Sequence, residues 1–168
     1  MAGLGDGLDG GLDKGRDGEL TVTGELPARR LGQFSWALFD WANQPYFTLV
    51  TTFIFAPYFT SVVVGDAIRG QELWGYGQAA AGLCIALLSP VLGAMADANG
   101  PRKPWILVFQ GLGVVGCAGL WLALPGADDG ALVMILGLVV LASLGAEFAT
   151  VFNNAMLPSL VSKARLGR

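Results

Sequence analysis

Residues 93–104 read Gly93-Ala-Met-Ala-Asp97-Ala-Asn-Gly100-Pro101-Arg102-Lys103-Pro104. This short, charged loop lies between two apolar runs, residues 73–96 and 105–124, and neither run contains a charge. At ~1.5 Å of rise per residue, each run is long enough as a helix to cross the ~30 Å hydrocarbon core of a bilayer. Because the loop is short, the two helices must run antiparallel. The sequence therefore predicts a hairpin of membrane helices.

The composition of the whole chain also indicates a membrane protein. Of its 168 residues, 54% are hydrophobic and 14% are charged, whereas about 25% are charged in a typical soluble domain. The sequence has no basic patch with interleaved aromatic residues, so we expect no nucleic-acid partner. It contains no histidine, and its two cysteines, Cys84 and Cys117, are isolated within apolar runs. We therefore expect no metal site and no cofactor.

Four apolar runs predict an all-α membrane protein with four transmembrane helices. The predicted spans are residues 34–64, 73–96, 104–124 and 131–152. The first run is longer than a membrane requires, and we expect it to tilt or to kink at Pro45 and Pro57. Residues 1–30 are rich in glycine and aspartate and predict a disordered tail, which leaves 31–168 as the membrane part.

The positions of the basic residues predict the orientation of these helices. Nine of the ten Lys and Arg residues fall in the tail, in the loop at 97–104 or after the fourth run, and Arg69 is the exception. With four crossings, those three basic segments lie on one side, which the positive-inside tendency makes cytoplasmic. We expect a multi-pass protein of the cell's inner membrane with both ends of this segment in the cytoplasm.

The first and fourth runs carry polar residues at helical spacing. On the first run, these residues are Asp40, Asn43, Gln44, Thr48 and Thr51, with Phe47 on the same face; on the fourth, they are Glu147, Thr150 and Asn154. A charge within the hydrocarbon costs at least ~2.5 kcal/mol on insertion scales, so these faces should avoid lipid. They are expected to line a water-filled cavity or a contact between helices. The candidates for a solute or proton cavity are Asp40, Asn43, Gln44, Glu147 and Asn154.

Two patterns allow a second interpretation. Asp40 and Glu147 lie at similar depth in the cytoplasmic half, where each either exchanges protons or orients a neighbouring helix through hydrogen bonds. Gly111-Leu-Gly113-Val-Val-Gly116 matches a dinucleotide-binding pattern, but it lies inside an uncharged apolar run with no strand before it. Its small residues are more typical of a close contact between membrane helices.

The loop quoted above resembles the loop between the second and third helices of the major facilitator superfamily. That signature consists of Gly, three residues, Asp, a basic residue, any residue, Gly, any residue and two basic residues. The matching positions are Gly93, Asp97, Gly100, Arg102 and Lys103. Ala98 stands where the signature has its first basic residue. The resemblance implies that the matching residues form a gate on the cytoplasmic side.

Within that superfamily, the chain is most similar to the vacuole-effluxer-like branch, known from fungal autophagy-related amino-acid exporters. Three segments carry the likeness: residues 35–43 (SWALFDWAN), 53–59 (FIFAPYF) and 151–158 (VFNNAMLP). The resemblance implies a secondary transporter of twelve helices that moves a small solute, with an amino acid as the implied class. It also implies that the first and fourth helices line the central cavity. Protons are a candidate partner of that solute because the carboxylates Asp40 and Glu147 can carry them.

Four helices are a third of such a fold. We therefore expect an N-terminal fragment whose missing partners are the remaining helices of the same transporter, and which does not transport alone. The alternative is a non-transporting four-helix scaffold or regulatory subunit, which would form a stable, defined oligomer. A membrane enzyme fits least, because the sequence shows no histidine, no metal-ligand cluster and no activated nucleophile.

Overall fold

A computed structural model describes residues 20, 21, 24, 26–97, 102–160 and 162. Most of the predicted tail, residues 1–30, and Gly100 of the predicted gate lie outside the described residues. The described part contains four helices that are long and apolar enough to cross a membrane. The helices are α1 (Arg30–Val63), α2 (Ala67–Asp97), α3 (Arg102–Leu122), α4 (Asp129–Asn154) and a short α5 (Leu157–Leu160). The prediction of an all-α membrane fold is confirmed.

Helices α2 and α4 begin before their apolar runs because aspartates cap their first turns. Asp66 Oδ1 accepts hydrogen bonds from the backbone N–H groups of Ile68 (2.9 Å) and Arg69 (3.0 Å), so α2 begins at Ala67 rather than at residue 73. Asp128 Oδ1 accepts from the N–H of Ala131 (2.9 Å) in the same way at the start of α4. Side-chain acceptors at these positions satisfy N–H groups that have no partner within the helix.

Helix α1 is irregular over its second half. It is α-helical from Arg30 to Pro45, π-helical over Tyr46–Phe53, α-helical again over Phe55–Tyr58 and π-helical over Phe59–Val63. Proline has no N–H to donate and its ring displaces the carbonyl four residues earlier, so wide turns near prolines are expected. Thr51 and Thr52 both donate to the Phe47 carbonyl in the first wide segment. Each of the two prolines is thus followed by a π-helical segment, and the kink or tilt itself stays a prediction.

The described residues divide into two units, and the larger comprises Asp40–Asn153. In it, α4 contacts the other three long helices through small residues. A Cβ added to Gly145 would meet the backbone of Gly113 and the Phe109 carbonyl of α3. A Cβ on Gly116 would lie 2.7 Å from the Ala142 nitrogen of α4. The predicted role of the α3 glycines in close helix contact agrees with this geometry.

The smaller unit comprises the described parts of Met1–Phe39 and Asn154–Arg168. Its hydrogen bonds converge on one carbonyl of α5. The backbone N–H of Ala28 donates to the Leu160 carbonyl (3.2 Å), and Gln33 Nε2 donates to the same carbonyl (3.0 Å). Thr21 and Ser162 form an isolated antiparallel bridge. Residues far apart in the sequence are therefore paired within this unit.

Candidate functional site

Two cavities lie in the larger unit, one on each side of the contact between α1 and α4. The first has a volume of about 400 Å³ and is lined by α1, α3 and α4. The second has a volume of about 380 Å³ and is lined by α1, α2 and α4. Both volumes fall in the range of sites that hold small molecules. Tyr46 lines both cavities, so its side chain forms part of the wall between them.

Polar side chains of α1 hold this wall against α4. Asn43 Nδ2 donates to the Ala146 carbonyl (3.2 Å) and to Thr150 Oγ1 (2.8 Å). One turn further along, the Tyr46 hydroxyl lies 2.7 Å from Ser143 Oγ. Asn43, Tyr46 and Ser143 are all buried. Hydrogen bonds between membrane helices are worth about 0.6 kcal/mol each on average, so this set fixes the two helices mainly by its geometry.

Among the residues that line the two cavities, Glu147 is the one acidic residue, and it lies in the second cavity. Glu147 is half-buried and lies on the cavity wall with Phe47, Thr51, Trp74 and Gln78. Within the described part of the chain, Glu147 forms neither a hydrogen bond nor an ion pair. A carboxylate in low-dielectric surroundings is stabilised by a proton, a cation or hydrogen-bond donors. Of these two cavities, the second is therefore the one whose lining includes a side chain that can pair with a positive charge.

The other predicted cavity residues lie in different surroundings. Asn43 lines the first cavity, on the opposite side of the α1–α4 contact from Glu147. Asp40 is half-buried and lines neither cavity, and Gln44 is exposed. Asn154 is exposed and belongs to the smaller unit. The geometry thus groups Glu147 with residues that the sequence did not single out, and a shared cavity for all five candidates stays a prediction.

The predicted cytoplasmic gate is only partly within the described residues. Arg102 Nε donates to the Ala96 carbonyl (2.9 Å) and so caps the last turn of α2. Asp97 and Lys103 are exposed, and Gly93 is half-buried. Arg102 therefore has a local structural role that is compatible with gating, and the gating role itself stays a prediction.

Tyr46, Ser143 and Gln78 are among the cavity residues that the sequence analysis did not single out. Ser143 precedes Glu147 by four residues, so helical spacing alone placed both on one face of α4. Tyr46 likewise follows Asn43 by three residues. Gln78 is the one amide side chain in the apolar run at 73–96, and that was the signal available for it.

Residues 63–167 of this chain, more than half of its length, match the family model described as "Vacuole effluxer Atg22 like". The chain belongs to this family. The match covers α2, α3 and α4, and therefore Glu147 and the loop that joins α2 to α3. It confirms the resemblance drawn from the sequence.

One curated relative extends the likeness into α1. An "Uncharacterized MFS-type transporter YxiO" of Bacillus subtilis (strain 168) is 30% identical over 135 residues, which are 79% of this chain and 31% of that protein. The chain thus spans about a third of the length of this relative. Both descriptions name transport proteins and neither names an enzyme, in agreement with the sequence analysis. No solved structure matches the chain.

Proposed function

We propose that this chain forms the opening part of a secondary transporter that moves a small solute across the inner membrane by alternating access. The observation that carries the proposal is the second cavity, where the half-buried Glu147 of α4 faces a space shared with α1 and α2. Family membership and the transporter relative support the same function. An amino acid is the solute class that the family resemblance favours.

In this proposal the remaining wall of the cavity comes from further helices, which the greater length of the relative supports. Substrate sites in such folds form near the middle of the membrane between two halves of the protein. The proposed orientation places the Arg102–Lys103 end of α3 and both ends of the segment in the cytoplasm, as the distribution of basic residues favours. Asp97 and Arg102 then belong to the gate on that side.

Glu147 is the proposed proton site, because it lines the cavity and lacks a cationic partner among the described residues. Asp40, which lines neither cavity, serves as the matched control. The test is solute flux driven by a pH gradient in proteoliposomes that contain the whole product of this reading frame. We expect Glu147→Gln to uncouple flux from the gradient and Asp40→Asn to leave it coupled. Coupled flux at the unaltered rate in both variants would contradict the proton role.

A further inference from the structure

The second cavity presents hydroxyl oxygens that can accept hydrogen bonds. Thr51 Oγ1 donates to the Phe47 carbonyl (2.5 Å). The Tyr46 hydroxyl lies 3.3 Å from the Val139 carbonyl and 2.7 Å from Ser143 Oγ, where either hydroxyl can be the donor, and in both arrangements Ser143 Oγ keeps at least one lone pair. A hydroxyl that donates its proton keeps its lone pairs as acceptors. Thr51 and Ser143 therefore offer the cavity oxygen acceptors.

The charge in the second cavity also favours a positively charged group that donates hydrogen bonds. Glu147 supplies a negative charge, and no Lys or Arg is among the residues that line the space. The side-chain donors on this wall, which include the amide of Gln78 and the indole N–H of Trp74, are all neutral. A bound group with several donors and a positive charge is thus favoured, whereas an anionic group meets a carboxylate and no cation.

We propose that the second cavity binds the ammonium group of an organic amine, with Glu147 as its counter-ion. An ammonium group has three donors and no acceptor, which matches the oxygens of Glu147, Ser143 and Thr51. The inference rests on the proposed transport function and specifies the chemistry that the site recognises.

The aromatic part of the wall favours an ammonium that carries an apolar substituent over a hydrated metal cation. Tyr46, Phe47 and Trp74 all line the cavity, and aromatic rings attract organic cations while offering no strong ligand to a hard metal ion. In this proposal the amine is sufficient for binding at this wall.

The test uses three probes of the same shape: cyclohexylmethylamine, cyclohexylmethanol and cyclohexanecarboxylate. The whole gene product is reconstituted in phosphatidylcholine nanodiscs, and binding of radiolabelled cyclohexylmethylamine is measured as the part displaced by excess unlabelled amine. Empty nanodiscs correct for partition of the amine into lipid. We expect saturable binding of the amine. The alcohol and the carboxylate should displace the radiolabelled amine with affinities at least roughly tenfold lower than that of the amine itself, and each factor of ten corresponds to ~1.4 kcal/mol.

Variants locate the binding site. Glu147→Gln should weaken amine binding by roughly tenfold or more, because it removes the counter-ion and nearly preserves the shape. Asp40→Asn should leave the affinity unchanged, and Thr51→Val should weaken it by about threefold through the loss of one acceptor. Size-exclusion chromatography and helical circular dichroism check that each variant is folded. If Glu147→Gln does not fold, the comparison of the three probes on the unaltered protein still decides the question.

Equal affinity for the amine and the carboxylate would overturn the proposal, and so would full amine binding by folded Glu147→Gln. Absence of saturable amine binding would also overturn it, leaving a proton or metal ion as the partner of Glu147. Failure here is distinct from failure of the proposed function: a protein that carries solute but does not bind the amine contradicts only the ammonium site. A protein that binds the amine but moves no solute contradicts only transport.

Discussion

Replacing Gly145 by alanine should separate α4 from α3 and destabilise the protein. The added Cβ would lie 2.6 Å from the Phe109 carbonyl oxygen and 2.7 Å from Gly113 Cα. Both atoms belong to the α3 backbone, so no side chain can rotate away, and ordinary contact at about 3.4–4 Å requires the helices to move apart by roughly an ångström. Gaps of 0.5–1 Å forfeit about a quarter to a half of each dispersion contact.

A second glycine on the same helix provides the control. A Cβ at Gly137 would have nothing within 4 Å, so Gly137→Ala gains only helix propensity, about 1 kcal/mol in water. Gly145→Ala gains the same helix propensity, but it also incurs the destabilising cost of overpacking, which is about 1–3 kcal/mol. The difference between the two variants therefore isolates the packing at the α3–α4 contact.

The assay is reversible unfolding of the two variants and the unaltered protein in mixed micelles with increasing dodecyl sulfate, followed by far-ultraviolet circular dichroism. We expect Gly145→Ala to be about 2 kcal/mol less stable than Gly137→Ala. Equal stability of the two variants would show that α3 and α4 do not approach each other at Gly145, and the close contact described above would then be wrong.

Two further predictions follow from named contacts, and a third follows from the distribution of basic residues. Tyr46→Phe should lower the free energy of unfolding by about 1 kcal/mol in the same assay, because it removes a buried hydroxyl that forms hydrogen bonds. Tyr76→Phe is the control: the Tyr76 hydroxyl forms its hydrogen bond on an exposed surface, so this change should leave the free energy of unfolding unchanged. Asp66→Ala should cost about 1 kcal/mol through loss of the α2 cap, and hydrogen exchange should show faster exchange confined to the first turn of α2. Cysteine placed at position 103 should react with a membrane-impermeant maleimide only from the cytoplasmic side and cysteine at position 128 only from the opposite side; the reverse pattern would contradict the proposed orientation.

The number and type of the helices could be predicted from the sequence because both depend on local composition. A run of about 20 apolar residues must span a bilayer as a helix, since the backbone has no other partner there. The ends of the helices depended on single capping contacts instead. Residues 66–72 include four polar side chains, Asp66, Arg69, Gln71 and Glu72, and the structure places 67–72 in α2 because Asp66 supplies an acceptor for the first N–H groups.

The candidate site was harder to predict because helical periodicity assigns residues to a face and not to a partner. The fourth helix is α-helical throughout, and its stripe of Ser143 and Glu147 stays together in the second cavity. The partner helix for that stripe, and the contribution of Gln78 from α2, depend on packing between segments far apart in the sequence.

Helix α1 shows why its polar stripe divides between two cavities. An α-helical period places Asn43, Phe47 and Thr51 on one face, since four residues make about one turn. A π-helical turn begins at Tyr46, and each wide turn holds an extra residue, which rotates the residues after it relative to those before it. Asn43 accordingly lines the first cavity, whereas Phe47 and Thr51 line the second.

The π-helical segment also gives the two acidic candidates, Asp40 and Glu147, different surroundings. Their similar depth in the membrane, as predicted from the sequence, could not distinguish them. Asp40 precedes the π-helical turn on the regular part of α1 and lines neither cavity, while Glu147 faces the residues that the turn brings round. A change that restored regular α-helix after Pro45 would rotate Thr51 away from Glu147 and remove an acceptor from the cavity. The π-helical segment is thus the feature of α1 on which the composition of the proposed ammonium site depends.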